Sequence, residues 1–165
     1  SEIMAFIAAH EILVAVALAV LAFAATVPKA LIYAPALLLF MGLGAVLILM
    51  HGNVLLVWFA GAAGAALGDV FAYIVGKYRS DTKAGSMLMT AAPADHAEAR
   101  DLIARRGLAS LVISKLQGVS RGLVPLEFGA GAGSAASFTA VSIISALIWS
   151  ALYLLPALVA RALIA

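Results

Sequence analysis

The chain has 165 residues, of which 65% are hydrophobic and only 11% are charged. A soluble domain carries about 25% charged residues, so this composition lacks the polar shell of a water-soluble protein and predicts an all-α integral membrane protein. Ten Lys and Arg residues stand against eight Asp and Glu, a formal net charge of +2. This excludes nucleic acid as a partner, because binding a phosphate backbone takes many clustered cations. The absence of cysteine excludes disulfides, thiolate catalysis and Cys-ligated metal clusters.

Three apolar runs fill the first half of the chain, at residues 3–27, 30–50 and 54–76. Each has about the 20 residues that a helix needs to cross a bilayer. Pro35 lies inside the second run, and proline kinks or breaks a helix. We therefore expect residues 3–53 to form a first span and a first re-entrant hairpin, and residues 54–78 to form a Gly-rich span.

Half of the charged residues lie between Arg79 and Arg106. This segment, 79–106, is predicted to be a solvent-facing loop followed by a short surface helix over residues 93–107. Pro93 suits a first helical turn, Arg105 and Arg106 complement the C-terminal end of the dipole, and Gly107 favours termination. The Lys and Arg residues of the segment favour the cytoplasmic side of the membrane.

The second half holds another apolar run, 107–133, and a last span, 134–160. The first of these runs contains three charged residues, Lys115, Arg121 and Glu127. It also contains helix-breaking residues, of which we expect Gly118, Gly122 and Pro125 to break the helix. Irregular backbone at membrane depth is tolerated only inside protein or along a wet cavity, so the run is predicted to be a second re-entrant hairpin.

The sequence of residues 27–32 resembles that of residues 119–124, and this similarity aligns Lys29 with Arg121. Each piece lies in a Pro-containing apolar run that is followed by an apolar span. Two interrupted segments in matching positions are typical of transporters built from pseudo-inverted repeats, with the site between the repeats. The alternative is a chance similarity among apolar residues.

Asp69 is the one acidic residue of the third apolar run. A carboxylate in an apolar span is costly and is a functional candidate, with proton binding as its chemistry. The alternative is a structural cap or ion pair near the membrane edge. The small residues before it are spaced by four, which favours close helix packing; they are Ala60, Gly64 and Gly68.

Lys115 and Arg121 would converge on one point if a hairpin broke between them. An anionic headgroup or phosphate is the natural ligand of two such cations. The alternative is an internal ion pair, Arg121 with Glu127 or Lys115 with Asp69. No nucleophile has an adjacent base, and the three histidines, predicted to be interfacial, lack the spacing of metal ligands. We therefore expect no enzyme activity, no metal and no cofactor.

The block from Gly61 to Lys77 contains the order Gly-Asp-x-x-x-Tyr-x-x-Gly, which ends in Tyr73 and Gly76. This block resembles a motif of the DedA (VTT-domain, SNARE-associated) membrane proteins. The segment from Lys115 to Arg121 occupies the place of that family's two-arginine signature, and Trp149 fits its late tryptophan. By this resemblance Asp69 and Arg121 match functional positions, Tyr73 is a further candidate, and Lys115 keeps the charge of the first arginine. The family's first-hairpin carboxylates are missing here.

The resemblance implies two re-entrant hairpins that meet in the membrane between spanning helices. It implies transport of an anionic lipid, undecaprenyl phosphate or a phospholipid, across a bacterial plasma membrane. Proton coupling, where present, would use Asp69 and Glu127. The partners are then membrane lipids, and a homo-oligomer is compatible with the sequence. The alternative function is a non-transporting accessory or anchoring membrane domain of a larger protein.

Overall fold

The computed structural model describes residues 2–26, 30–78, 93–117, 120–131 and 133–164, and every regular element within them is an α-helix. The helices are α1 (Glu2–Ala9), α2 (Glu11–Ala24), α3 (Ala30–Leu49), α4 (Val54–Lys77), α5 (Pro93–Arg106), α6 (Ala109–Lys115), α7 (Ser120–Ala130) and α8 (Ala135–Ile164). The described part of the chain thus has the predicted all-α class. Lys29, Gly118 and the loop at 79–92 lie outside the described residues.

Two of the described helices are long and apolar enough to cross a membrane, α4 with 24 residues and α8 with 30. The first apolar run is not one helix. It is interrupted at His10, whose backbone (φ −124, ψ 39) is not helical, and α2 then has 14 residues. A helix of that length covers about 21 Å, which is less than the roughly 30 Å of a hydrocarbon core.

The helix breaks predicted at Pro35, Gly122 and Pro125 do not occur at these residues. Pro35 lies inside α3, and Gly122 and Pro125 lie inside α7. Each proline is the sixth residue of its helix and removes a single backbone donor, and contacts with neighbouring helices keep the helix intact. In the run over residues 107–133, α6 ends at Lys115 and α7 begins at Ser120. The predicted break at Gly118 lies outside the described residues.

Helix α4 is the centre of the bundle and packs against α2, α7 and α8. It crosses α2 at the predicted small residues: a Cβ at Gly64 would collide with the Ala19 backbone, and a Cβ at Gly68 would collide with Thr26. Ala60 is partly buried against the same core. Gly64 and Gly68 therefore lie where α4 approaches its neighbour closely, as small residues allow.

A second close crossing joins α4 to α7 through two glycines. A Cβ at Gly76 would collide with the Leu126 carbonyl, and a Cβ at Gly129 would collide with the Tyr73 carbonyl. Because each helix offers a glycine to the backbone of the other, the two axes approach closely. This contact sets α7, with its charged residues, against the half of α4 that holds Asp69.

The outer surface of the bundle is apolar. Large hydrophobic side chains are exposed on α2, α3, α4 and α8, with Ile12 at 78% and Leu38 at 69% exposed among them. Soluble monomers rarely expose so much contiguous apolar surface. The surface therefore has the character of a protein that lies in lipid.

Helix α5 has the predicted bounds and is polar on its outer face. It begins at Pro93 and ends at Arg106, and Gly107 follows with φ 54, a left-handed backbone that favours glycine. Its buried residues are His96 and Ala99. That face packs against α7, so α5 is attached to the bundle.

Candidate functional site: a buried charge cluster where four helices meet

Asp69 and Lys115 form an ion pair in the protein interior. Asp69 lies on α4 and is 0% exposed, and Lys115 is the last residue of α6 and is 2% exposed. Lys115 Nζ lies 2.6 Å from Asp69 Oδ2. Each of the two groups has the other as its partner, which offsets part of the cost of burying a charge. This is one of the two internal ion pairs that the sequence left open.

Ser142 on α8 binds the same carboxylate oxygen. Its hydroxyl donates to Asp69 Oδ2 at 2.6 Å. Asp69 Oδ1 is buried and accepts no hydrogen bond from the described residues. The described residues thus hold the carboxylate through one of its two oxygens.

Arg121 belongs to the same cluster and is 1% exposed. Its guanidinium lies over the ring of Trp149 on α8, with Cζ 4.2 Å from the ring centroid. This is a cation–π contact, which holds a planar guanidinium against an aromatic face. Arg121 is also close enough to Lys115 for the two positive charges to repel. The interruption between α6 and α7 therefore brings both predicted cations to one place.

Glu127 on α7 faces the surface helix. His96 on α5 donates through Nδ1 to Glu127 Oε1 at 2.7 Å, and Arg100 Nε lies 3.6 Å from Oε2. Glu127 is 8% exposed and His96 is 7% exposed. His96 is therefore buried between α5 and α7, and its position at a membrane interface stays a prediction. Its spacing of three residues from Ala99 is the signal that could have placed it on the inner face of α5.

Tyr73 is a packing residue of α4. It is 9% exposed, its hydroxyl donates to the Gly133 carbonyl at 3.5 Å, and its ring lies 4.5 Å from that of Phe138. These contacts tie α4 to the start of α8. They stabilise the packing of these two helices.

The residue pattern does not identify Ser142 as part of the site, and it is the family resemblance alone that points to Trp149. The two are seven residues apart, so they lie on one face of α8, two turns from each other. Ser145 and Ala146 lie between them and are buried as well. Polar and aromatic residues at this spacing in an apolar span are the signal that could have pointed to α8 as a wall of the site.

The part of the chain that matches a known protein family includes the whole cluster. The family model of the VTT domain matches residues 34–157. Searches among curated proteins and among solved structures found no match. The family match covers well over half of the chain and contains Asp69, Lys115 and Arg121. The chain is a membrane protein of the VTT-domain family, which is the DedA or SNARE-associated family.

Proposed function

We propose that this protein is a multi-pass membrane transporter that moves an anionic lipid across the bilayer, and that it is not an enzyme. The observation that carries the proposal is the cluster of Asp69, Lys115 and Arg121, buried inside a bundle whose exterior is apolar. Ionisable residues at such depth are costly and mark substrate pathways. The membership in the VTT-domain family supports the same conclusion.

The cluster suits a phosphate group. Two cations and one carboxylate leave an excess of positive charge, and Arg121 can offer paired N–H donors to phosphate oxygens. Lys115 is held by Asp69 at 2.6 Å, so a headgroup reaches Lys115 when that ion pair opens. A proton on Asp69 Oδ1 would remove the negative charge and free the ammonium group. Asp69 is then the counter-ion while no lipid is bound and the proton site during transport.

The segment from α6 to α7 would bring the cations into the membrane as a re-entrant hairpin. Helix α6 has 7 residues and α7 has 11, which corresponds to about 11 and 17 Å. Neither is long enough to cross the hydrocarbon core. The two helices pack against each other, α6 packs also against α8, and α7 packs against α4. This arrangement supports a hairpin whose tip carries the charges. We place the protein in a bacterial plasma membrane, with membrane lipids as its partners.

Reconstitution into liposomes tests this function. Transbilayer movement of labelled anionic and zwitterionic lipids is followed with and without a pH gradient. We expect the wild-type protein to move the anionic lipid and the Arg121→Ala variant to lose this activity while it still folds. Arg106→Ala, which removes an exposed arginine of α5, is the matched control and is expected to keep activity. Wild-type rates in Arg121→Ala would refute the assignment.

A non-transporting accessory or anchoring domain is the second candidate. The observation that favours it is the closed Asp69–Lys115 pair, which by itself neutralises two buried charges. Under this function, wild-type protein moves no lipid above the level of empty liposomes. Replacement of the three charges together, as Asp69→Asn, Lys115→Met and Arg121→Met, would then change folding without changing the cellular role.

A further inference from the structure

We infer that Trp149 is a third donor to the lipid phosphate, through the N–H of its indole ring. This inference rests on the proposed function and extends it, since it assigns a specific role to a neutral side chain beside the two cations. It also names the ligand chemistry as a phosphate group whose oxygens accept from Arg121 and from the indole together.

The first observation is the indole nitrogen itself. Trp149 is 0% exposed, and its Nε1 has no hydrogen-bond acceptor among the residues that the structure describes. A buried donor without an acceptor is unfavourable, and such groups are rare in folded proteins. A functional acceptor that arrives in another state of the protein explains why a donor is kept at this position.

The second tryptophan of the chain shows the contrast. Trp58 on α4 donates through Nε1 to the Leu147 carbonyl of α8 at 2.9 Å. Its indole N–H is therefore used to join two helices. Trp149 lies on the same helix as Leu147, two residues further along, yet makes no such bond. Packing alone thus explains Trp58, whereas Trp149 has an unused donor in the charged cluster.

The third observation is the position of Arg121. Its Cζ is 4.2 Å from the centroid of the Trp149 ring, so the guanidinium lies over the face of the ring whose edge carries the indole N–H. A phosphate oxygen takes a hydrogen bond at about 2.9 Å, and a group with several oxygens can accept from both donors at once. Phe40 stacks on the same ring at 5.1 Å. The ring is thereby fixed, and the donor has a defined direction before the ligand arrives.

The test compares two identical substitutions, Trp149→Phe and Trp58→Phe. Both keep an aromatic ring and remove one indole N–H. Binding of short-chain phosphatidic acid and of inorganic phosphate to the full chain in nonionic detergent is measured by calorimetry. We expect Trp149→Phe to weaken binding by roughly ten- to a hundredfold, as for a hydrogen bond to a charged group, and Trp58→Phe to change it by less than about threefold. The two ligands distinguish a lipid headgroup from free phosphate as the source.

Unchanged affinity in Trp149→Phe would overturn the inference, as would equal losses in both variants. If that variant fails to fold, the Trp58→Phe protein replaces it, because Trp149 is then the single tryptophan and its emission must change when phosphatidic acid is added. An emission that stays constant at saturating ligand overturns the inference.

The outcome for transport is separate. If lipid movement depends on Arg121 but Trp149→Phe binds the ligands normally, Trp149 is not a donor to the phosphate. The proposed function is then retained. Binding that depends on Trp149 without lipid movement supports the phosphate site and removes transport. A wild-type protein that binds neither ligand overturns both.

Discussion

The two buried carboxylates of the membrane bundle differ in their partners. Asp69 is 0% exposed and is bound by a lysine and a serine from two other helices of the bundle. Glu127 is 8% exposed and is bound by His96 and Arg100 of the surface helix α5. The difference teaches that Asp69 balances the cations of the candidate site, whereas Glu127 attaches a surface helix to α7.

The largest effect is expected when Asp69 loses the cation with which it pairs. Lys115→Met leaves the Asp69 carboxylate buried without its cation, and breaking a buried pair costs about 3–5 kcal/mol of the free energy of unfolding. The double variant Asp69→Asn with Lys115→Met removes both charges and is expected to recover most of this loss while transport stays absent. Chemical denaturation in detergent micelles measures both. Equal stability of the single and the double variant would contradict the ion pair.

Glu127→Gln should have a smaller and more local effect. It removes the charged acceptor of His96, worth about 1.5–3 kcal/mol, while Arg100 contributes little because its side chain is 63% exposed. We expect faster amide hydrogen exchange in α5, unchanged exchange in α4 and retained transport. Glu98→Gln, on the exposed face of α5, is the control. Loss of transport with intact α5 would place Glu127 in the site with Asp69.

The helix crossing that sets α7 against α4 can be tested at Gly76. Gly76→Ala drives a Cβ into the Leu126 carbonyl, and overpacking of this kind costs about 1–3 kcal/mol. Gly42→Ala is the matched control, because nothing lies within 4 Å of its Cβ and alanine favours the helix by about 1 kcal/mol. A lower melting temperature is expected for the first variant only. Equal melting temperatures would show that the close approach is not required.

The smallest effect is expected at Ser142. Ser142→Ala removes one donor to Asp69, and the net loss in stability is about 0.5–1.5 kcal/mol. Ser145 is buried on the same helix and donates to the Ser142 carbonyl, so Ser145→Ala is its control. Because Ser142 holds the carboxylate that pairs with Lys115, we expect Ser142→Ala to slow lipid transport in the liposome assay and Ser145→Ala to keep the wild-type rate. A decrease of the same size in Ser145→Ala would refute this role.

Much of the local structure could be predicted from neighbouring residues. Pro93 and Gly107 bound α5 because the signals of a helix start and stop are local. The spacing of Gly64 and Gly68 predicts a close helix crossing for the same reason. The prolines are the counterexample: Pro35 and Pro125 are local signals for a break, but each lies inside a continuous helix. Packing of α3 and α7 against their neighbours stabilises these helices beyond what the local sequence favours.

The sequence by itself determined that this is a helical membrane protein and that Asp69, Lys115 and Arg121 are its candidate site, because charge in an apolar chain is costly and stands out. Only the tertiary structure decided which charges meet. Asp69, Lys115 and Ser142 lie on three different helices, and Glu127 and His96 are 31 positions apart in the chain. Such pairs depend on how helices cross, and a crossing is set by backbone contacts such as Gly76 on Leu126. The residue pattern of one helix does not specify which other helix will pack against it.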